Sequence, residues 1–199
     1  EIQYQGPAGL FSWVLPVPGT PTIAVSSKLA FDRLQARTNP QYLLQTQFDE
    51  SCAVPEGPAS APGRGGSGGG PGSGDVTVLD SGTVGPYDYE VIQVNPALPD
   101  PVSVAVSWLD TNGYDVTGLG EDRLRPYLED NLNLLAFRLT KDATLGSIRP
   151  VILRYEASHA MIPIRPTAVA ANEDMGVMVW VLGGARAIPV NYEGLVLNE

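Results

Sequence analysis

The sequence predicts an α+β fold built on a mostly antiparallel sheet of about eight to ten strands with two or three short helices. Strand-like alternation dominates the chain, helical patterns are few and short, and the two kinds of segment are grouped. Grouped strands favour antiparallel pairing, because parallel strands need a long crossover between each pair. With 199 residues and 43% hydrophobic content, the chain is large and apolar enough to bury a core.

The first 53 residues predict strands at 11–15 and 22–25, and a further strand at 41–48. Pro16 and Pro18 cannot donate to a β-ladder, so the first stretch is expected at a sheet edge or a crossover. A short amphipathic helix is expected between the strands at 22–25 and 41–48. It begins after a serine cap at position 26 or 27 and is stopped by the Asn-Pro pair at 39–40.

Two further helices are predicted in the second half. The better defined one has Asp100 at its N-cap, Pro101 at its first position and Gly113 at its C-terminal cap. The other spans about 121–131 and must either begin near Pro126 or kink there, since proline lacks the N–H that a helix interior uses.

Strand patterns fill the rest of the chain. Residues 75–94 predict a hairpin that turns at 80–82, with Tyr87, Tyr89 and Val91 on one face. The segment 175–183 is apolar on both faces, which predicts a central strand. Further strands are predicted in 132–140, 148–157, 161–171 and 185–199.

One domain is expected, made of residues 1–53 and 75–199, with a Pro/Gly-rich loop inserted at 54–74. The glycines at 63, 65 and 68 have dinucleotide-motif spacing, but a strand follows them where that motif needs a helix N-terminus. The stretch is therefore predicted to be a loop. Because free loops of this composition seldom hold one conformation, a partner is expected to contact it at Arg64, Gly68 and Pro71.

Composition excludes some functions. A net charge of −10 repels phosphate backbones, so nucleic acid is not expected as a partner. No run of apolar residues is long enough to cross a bilayer, so any membrane anchor is expected outside these residues. The tryptophans and the tyrosines at 87, 89 and 114 fall on apolar faces or a central strand, which predicts core packing.

The acidic stretch 110–122 raises a calcium site, with Asp110, Asn112 and Asp115 as candidate ligands beside Glu121 and Asp122. A calcium loop needs glycine at its sixth position, whereas here Gly113 is the fourth residue. A capped helix end followed by a solvated acidic turn is the preferred interpretation. A calcium-stabilised adhesion module remains an alternative.

Candidate catalytic residues are sparse. His159 is the only histidine and Cys52 the only cysteine, and no Gly-x-Ser-x-Gly motif occurs. The acidic neighbours of Cys52 raise its pKa and so blunt its thiol. We therefore predict no catalytic residue and no cofactor. An alternative is a hydrolase or ligand-binding enzyme whose site is completed by segments that this chain lacks.

Several blocks in order resemble the bacterial family numbered 2330 among domains of unknown function. They are YQGPAGLFSWVLPVPG, VGPYDYEVI, WLDTNGYDV, LRPYLEDN, GSIRPVILRYE, MIPIRPTAVAA, MGVMVWVLG and NYEGLVLNE. The resemblance is to the N-terminal portion of the family domain. It implies an exported envelope protein with a signal peptide, a cysteine-containing N-terminal segment that could pair with Cys52, and in some members a C-terminal membrane anchor.

Together these observations predict a non-enzymatic, periplasmic or extracellular module. Its expected role is structural or protein-binding, for instance as an accessory subunit of a membrane-associated complex.

Overall fold

A computed structural model describes residues 4, 8–38, 74–119, 121–140, 148–158, 161–170 and 176–185. The described part of the chain contains six strands, three α-helices and two short 3-10 helices. The strands are β1 Ser12–Val17, β2 Thr22–Val25, β3 Val76–Val84, β4 Tyr87–Val94, β5 Asn133–Leu139 and β6 Val151–Arg154. The helices are α1 Lys28–Thr38, α2 Pro101–Thr111 and α3 Glu121–Glu129, and the 3-10 helices are Ala8–Leu10 and Pro166–Ala170.

The main sheet has four antiparallel strands in the order β1, β5, β4, β3, and β2 and β6 form a separate antiparallel pair. This arrangement confirms an α+β fold with mostly antiparallel sheet. β1 is an edge strand and contains Pro16, as its missing N–H requires. β5 is central, and all residues from Asn133 to Phe137 are buried.

One face of the main sheet packs against α2 and α3. Ile92 and Leu134 of the sheet lie in the same buried cluster as Leu109 of α2 and Leu124 of α3, and all four are fully buried. Burying an aliphatic side chain of this size contributes about 1.5–3 kcal/mol to folding. The two helices therefore form an outer layer that is held by apolar contact.

The opposite face packs against the small β2–β6 sheet. Tyr87, Val91 and Phe137 form the centre of this second cluster, and Ile23 of β2 and Leu153 of β6 pack on it. The prediction that Tyr87, Tyr89 and Val91 share one face is confirmed. The main sheet thus lies between two layers, which explains why the central strand β5 is apolar on both faces from Leu134 to Phe137.

The β3–β4 hairpin is confirmed, but its turn lies elsewhere than predicted. Residues 80–82 are within β3, and the connection consists of Gly85 and Pro86. Gly85 has φ +56, which a type II′ turn needs at its first central position, and proline suits the second. β3 also carries a bulge between Val78 and Asp80. The strand patterns on both sides of the turn were clear, whereas the turn residues were misassigned.

All three predicted helices are present, although α3 does not begin near Pro126, which was one of the two alternatives predicted for it. α2 begins at Pro101, and the Asp100 carboxylate accepts a hydrogen bond from the Ser103 N–H at 3.1 Å. Gly113 has φ +81 just beyond the C-terminal end of α2. α3 accommodates Pro126 in its interior and begins at Glu121, five residues before it.

Two strand predictions are wrong for the described residues. In 161–171 the described residues contain a 3-10 helix and no strand, and in 175–183 the described residues form neither helix nor strand. The predicted count of eight to ten strands is therefore not confirmed. The strand predicted at 41–48 and residues 186–199 of the last predicted strand lie outside the described residues.

Candidate interaction surface

A run of exposed aliphatic side chains lies between Gly176 and Leu182, which we call the apolar segment. Its backbone contains no turn or bend, and it pairs with none of the described strands. The exposed fractions are 59% for Val177, 52% for Met178, 47% for Val179, 55% for Val181 and 90% for Leu182. Contiguous exposed apolar surface marks interaction sites, unlike scattered single side chains.

Trp180 attaches the apolar segment to α1. Its indole Nε1 donates to the Thr38 Oγ1 at 2.7 Å, and its ring lies 6.1 Å from the Phe31 ring, centroid to centroid. The Thr38 hydroxyl in turn donates to the Leu34 carbonyl at 2.8 Å. This hydroxyl therefore has one defined donor and one defined acceptor role, and it fixes the middle of the segment to the helix.

The side chains of the apolar segment are exposed on both sides of Trp180 in the sequence. Val177, Met178 and Val179 precede the tryptophan and Val181 and Leu182 follow it. The three valines are β-branched, which suits a pleated, half-buried surface.

α1 itself has a basic, exposed surface. None of its residues is buried, and its charged residues Lys28, Asp32, Arg33 and Arg37 are all exposed. Three basic residues and one acidic residue give the helix a net charge of +2, whereas the whole chain carries −10. The element that holds the apolar segment is thus positive within an acidic protein.

A second cluster of functional groups lies on the helix-facing side of the main sheet. The β-ladders align Thr83, Asp88, Arg138 and Ser12 across all four strands. Thr83 Oγ1 donates to the Asp88 carboxylate at 2.8 Å, and the Arg138 Nε lies 3.9 Å from the same carboxylate. Both charged side chains are more than a third exposed, so solvent screens this pair.

Tyr114 covers this row. Its hydroxyl donates to the Glu90 carboxylate at 2.9 Å, and the Arg138 guanidinium lies 5.5 Å from the centre of its ring. Burial raises the pKa of Tyr114, and the hydrogen bond to Glu90 raises it further. Arg138 also donates to the Asn112 carbonyl at 2.9 Å. The contacts join the end of α2 to the sheet, a structural role.

The predicted calcium ligands lie beside this cluster. Asp110 is exposed in the last turn of α2, and the Asn112 amide donates to the Trp108 carbonyl at 2.8 Å. Hydrogen bonds from Thr117 hold the pKa of Asp115 below its ordinary value. Within the described residues, no three His, Cys, Asp or Glu side chains are close enough together to hold a metal ion.

An open polar depression of about 310 Å³ lies at the far end of the β3–β4 hairpin. Its lining residues are Gly74, Asp75, Thr77, Gln93, Asn95 and Pro96. Neither Asp110 nor Asp115 reaches it. Cys52, His159 and the proposed partner contacts Arg64, Gly68 and Pro71 lie outside the described residues, so these predictions stay predictions.

Sequence reasoning missed the apolar segment as a surface. An apolar pattern on both faces is typical of a central strand. The structure shows that the same pattern can also belong to a segment whose side chains are exposed. One sequence signal speaks against a core strand. It is the glycine pair at 183–184 directly after the segment, because glycine weakens a strand. Of the residues described, no helix is long and apolar enough to cross a membrane.

Comparison with known proteins adds a family and nothing more specific. No curated protein and no solved structure matches the chain. A family model described as an uncharacterised protein conserved in bacteria, DUF2330, matches residues 1–196. The resemblance seen in the sequence blocks is thereby confirmed along nearly the whole chain, and the protein belongs to the DUF2330 family of bacterial proteins.

Proposed function

We propose that this chain is a non-enzymatic interaction module of the bacterial cell envelope, which binds a protein partner through the apolar segment. The observation that carries the proposal is the run of exposed aliphatic side chains between Gly176 and Leu182, a segment that Trp180 fixes to α1. Leaving five aliphatic side chains in water is unfavourable by about 25 cal/mol per Å² of apolar surface. A partner that covers them recovers this free energy.

The polar row on the main sheet has a structural explanation, which leaves the apolar segment as the surface on which the proposal rests. The polar row on the main sheet is engaged in contacts between Tyr114, Glu90, Asp88 and Arg138, which fix α2 to the sheet. The envelope location rests on the resemblance of the sequence blocks to exported proteins. Cell fractionation of the native bacterium tests the location directly.

Site-specific crosslinking in the native bacterium tests the binding role. A photo-reactive amino acid at Val181 is expected to give a discrete protein adduct, because this side chain faces the proposed partner. The matched control places the same amino acid at Gln93, an exposed polar residue of β4. Adducts that are identical at both positions, or absent at Val181, would contradict the proposal.

A further inference from the structure

We infer that Asn112 and Gly113 form a deamidation site that the native fold holds unreactive and that reacts when the end of α2 separates from the main sheet. The pair is the single Asn-Gly sequence in the chain. Asparagine is a thermolabile residue, and a following glycine puts no side chain in the way of the reacting N–H. The inference concerns a modification site and does not depend on the proposed binding function.

The reaction needs only these two residues, a base and water. The Gly113 nitrogen loses its proton to the base and attacks the Asn112 Cγ, so that a new N–C bond closes a succinimide ring. The bond from Cγ to Nδ2 breaks, and Nδ2 takes up a proton and leaves as ammonia. Water then adds to one of the two ring carbonyls and opens the ring to aspartate or isoaspartate. No group is oxidised or reduced.

The native backbone places the attacking nitrogen away from its target. Ring closure requires the Gly113 nitrogen to eclipse the Asn112 Cβ about the Cα–C bond. Asn112 has ψ 10, so this nitrogen nearly eclipses the backbone nitrogen of Asn112 instead. Gly113 continues with φ +81, the left-handed conformation that commonly follows a helix end. The end of α2 therefore keeps the two reacting atoms apart.

Hydrogen bonds also occupy the groups that take part in the reaction. The leaving group, the Asn112 Nδ2, donates to the Trp108 carbonyl at 2.8 Å. The nucleophile, the Gly113 N–H, donates to the Asp110 carbonyl at 3.0 Å. The Asn112 carbonyl between them accepts from the Arg138 guanidinium at 2.9 Å. These contacts must break before the ring can close.

The Arg138 contact links the site to the main sheet. Arg138 belongs to β5, and its guanidinium lies 5.5 Å from the centre of the Tyr114 ring. Asn112 is half-buried and Gly113 is exposed, so water and base reach the pair once this contact opens. Helix ends open locally at a lower free energy than the whole fold does. Release of the Arg138 contact is thus the step that makes the pair reactive.

Conversion of Asn112 to aspartate weakens the same end of α2. A carboxylate has no proton to donate to the Trp108 carbonyl, and it brings a negative charge to the C-terminal end of a helix, where the helix dipole disfavours it. Asp110 and Asp115 already make this stretch acidic. A chain that has opened and reacted is therefore marked by a weaker helix cap.

Incubation of the full chain in mildly alkaline buffer, with and without guanidinium chloride, tests the inference. Peptide mapping by mass spectrometry measures aspartate and isoaspartate at position 112. We expect the native protein to react at least about tenfold more slowly than the denatured chain, because the hydrogen bonds around Asn112 must break first. Equal rates, or no reaction at position 112 in the denatured chain, would overturn the inference.

Two arginine variants test whether Arg138 controls the opening. Arg138→Gln removes the guanidinium that donates to the Asn112 carbonyl and is expected to raise the native rate at least about threefold. Arg125→Gln is the matched control, because Arg125 is similarly exposed and its ion pair is with Glu129 of α3. Its native rate is expected to stay within about twofold of the wild type.

Equal rates for the two arginine variants would overturn the inference. Amide exchange in β5, measured in parallel, reports global unfolding. If the rate at position 112 follows the exchange of β5 in the wild type and in Arg138→Gln, the whole fold must open for the reaction, and local opening at α2 is overturned.

The variant Asn112→Asp tests the consequence of the modification. It is expected to unfold at a lower urea concentration than the wild type, because it loses the donor to the Trp108 carbonyl. The matched control is Asn95→Asp, since the Asn95 Oδ1 accepts from the Ala97 N–H and a carboxylate keeps this contact. Equal urea midpoints for the two variants would overturn the predicted weakening of the cap.

Discussion

Tyr87 connects the two sheets through a single hydroxyl. Its Oη donates to the Arg149 carbonyl at 2.6 Å and accepts from the Arg149 N–H at 2.8 Å, and Arg149 lies two residues before β6. The residue is fully buried. We expect Tyr87→Phe to lower the free energy of unfolding by about 1–3 kcal/mol, because it leaves two backbone groups without their partner. Urea denaturation measures this change.

Tyr89 provides the matched control on the same strand face. Its hydroxyl donates to the Asp80 carboxylate at 3.2 Å in a partly exposed position. Tyr89→Phe is expected to cost less than about 0.5 kcal/mol, since water replaces the lost contact. Equal losses for the two variants would show that the Arg149 contacts do not stabilise the fold.

Tyr114 is expected to make the free energy of unfolding fall at alkaline pH. Burial raises its pKa above the ordinary value of 10.0, so the unfolded chain releases this proton at lower pH than the native protein. The stabilisation is complete below pH 10.0 and is lost as the pH rises toward the native pKa. Tyr114→Phe is expected to cost about 1 kcal/mol at pH 7 and to flatten the decline above about pH 10.

The pH dependence of denaturant midpoints checks the Tyr114 prediction. Burial also raises the pKa values of Tyr87 and Tyr89, so the stability of both wild type and Tyr114→Phe declines further at alkaline pH. The relevant quantity is therefore the difference in stability between the two proteins. A difference that stays constant from pH 8 to 11.5 would contradict the assigned role of Tyr114.

At the scale of elements, the β3–β4 turn depends on one glycine. Gly85 has φ +56, and a Cβ added there would lie 3.0 Å from the Val25 Cγ1 on β2. Gly85→Ala is expected to lower the free energy of unfolding by about 1–2 kcal/mol through backbone strain, with a further contribution from the contact.

Gly9 is the matched control for this substitution. A Cβ added there meets nothing within 4 Å, and its φ is not in the left-handed region. Gly9→Ala is expected to change stability by less than about 0.5 kcal/mol in thermal melts. If Gly85→Ala were equally mild, the turn would tolerate a side chain and the type II′ assignment would be wrong.

How far the sequence predicts an element depends on how locally its signals act. α2 was predictable because Asp100 and Pro101 act within one helical turn of the residues that they cap. The hairpin turn was not, because Asp80 to Gly82 also suit a turn and only the β-ladder shows that β3 continues through them. The Tyr87 hydroxyl contacts a residue 62 positions away, which no local pattern encodes.

At the scale of the whole molecule, stability is expected to be uneven. β4 and β5 are covered on both faces, whereas α1 contains no buried residue. We expect amide exchange in β5 to approach the rate of global unfolding and exchange in α1 to be at least about a hundredfold faster. Trp180→Ala should accelerate amide exchange in α1 further, because it removes the ring contact with Phe31 and the hydrogen bond to Thr38.

Hydrogen exchange followed by mass spectrometry checks this hierarchy, and equal protection of α1 and β5 would contradict it.

The fold class could be predicted from the sequence because strand patterns and helix patterns are grouped, and grouped strands favour antiparallel pairing. The candidate surface could not follow from the same rule. The residues from Val177 to Leu182 are all apolar and most of them are exposed, and hydrophobicity alone does not separate a buried strand from an exposed segment.

Both edge strands of the main sheet, β1 and β3, carry a feature that hinders pairing with a further strand. At one edge β1 lacks a donor at Pro16, and at the other β3 is interrupted by the bulge between Val78 and Asp80. Both devices discourage pairing with foreign strands. If the apolar segment is the binding surface proposed above, substitutions between Gly176 and Leu182 would alter binding without touching the buried clusters of the main sheet, so binding and folding would depend on separate residues.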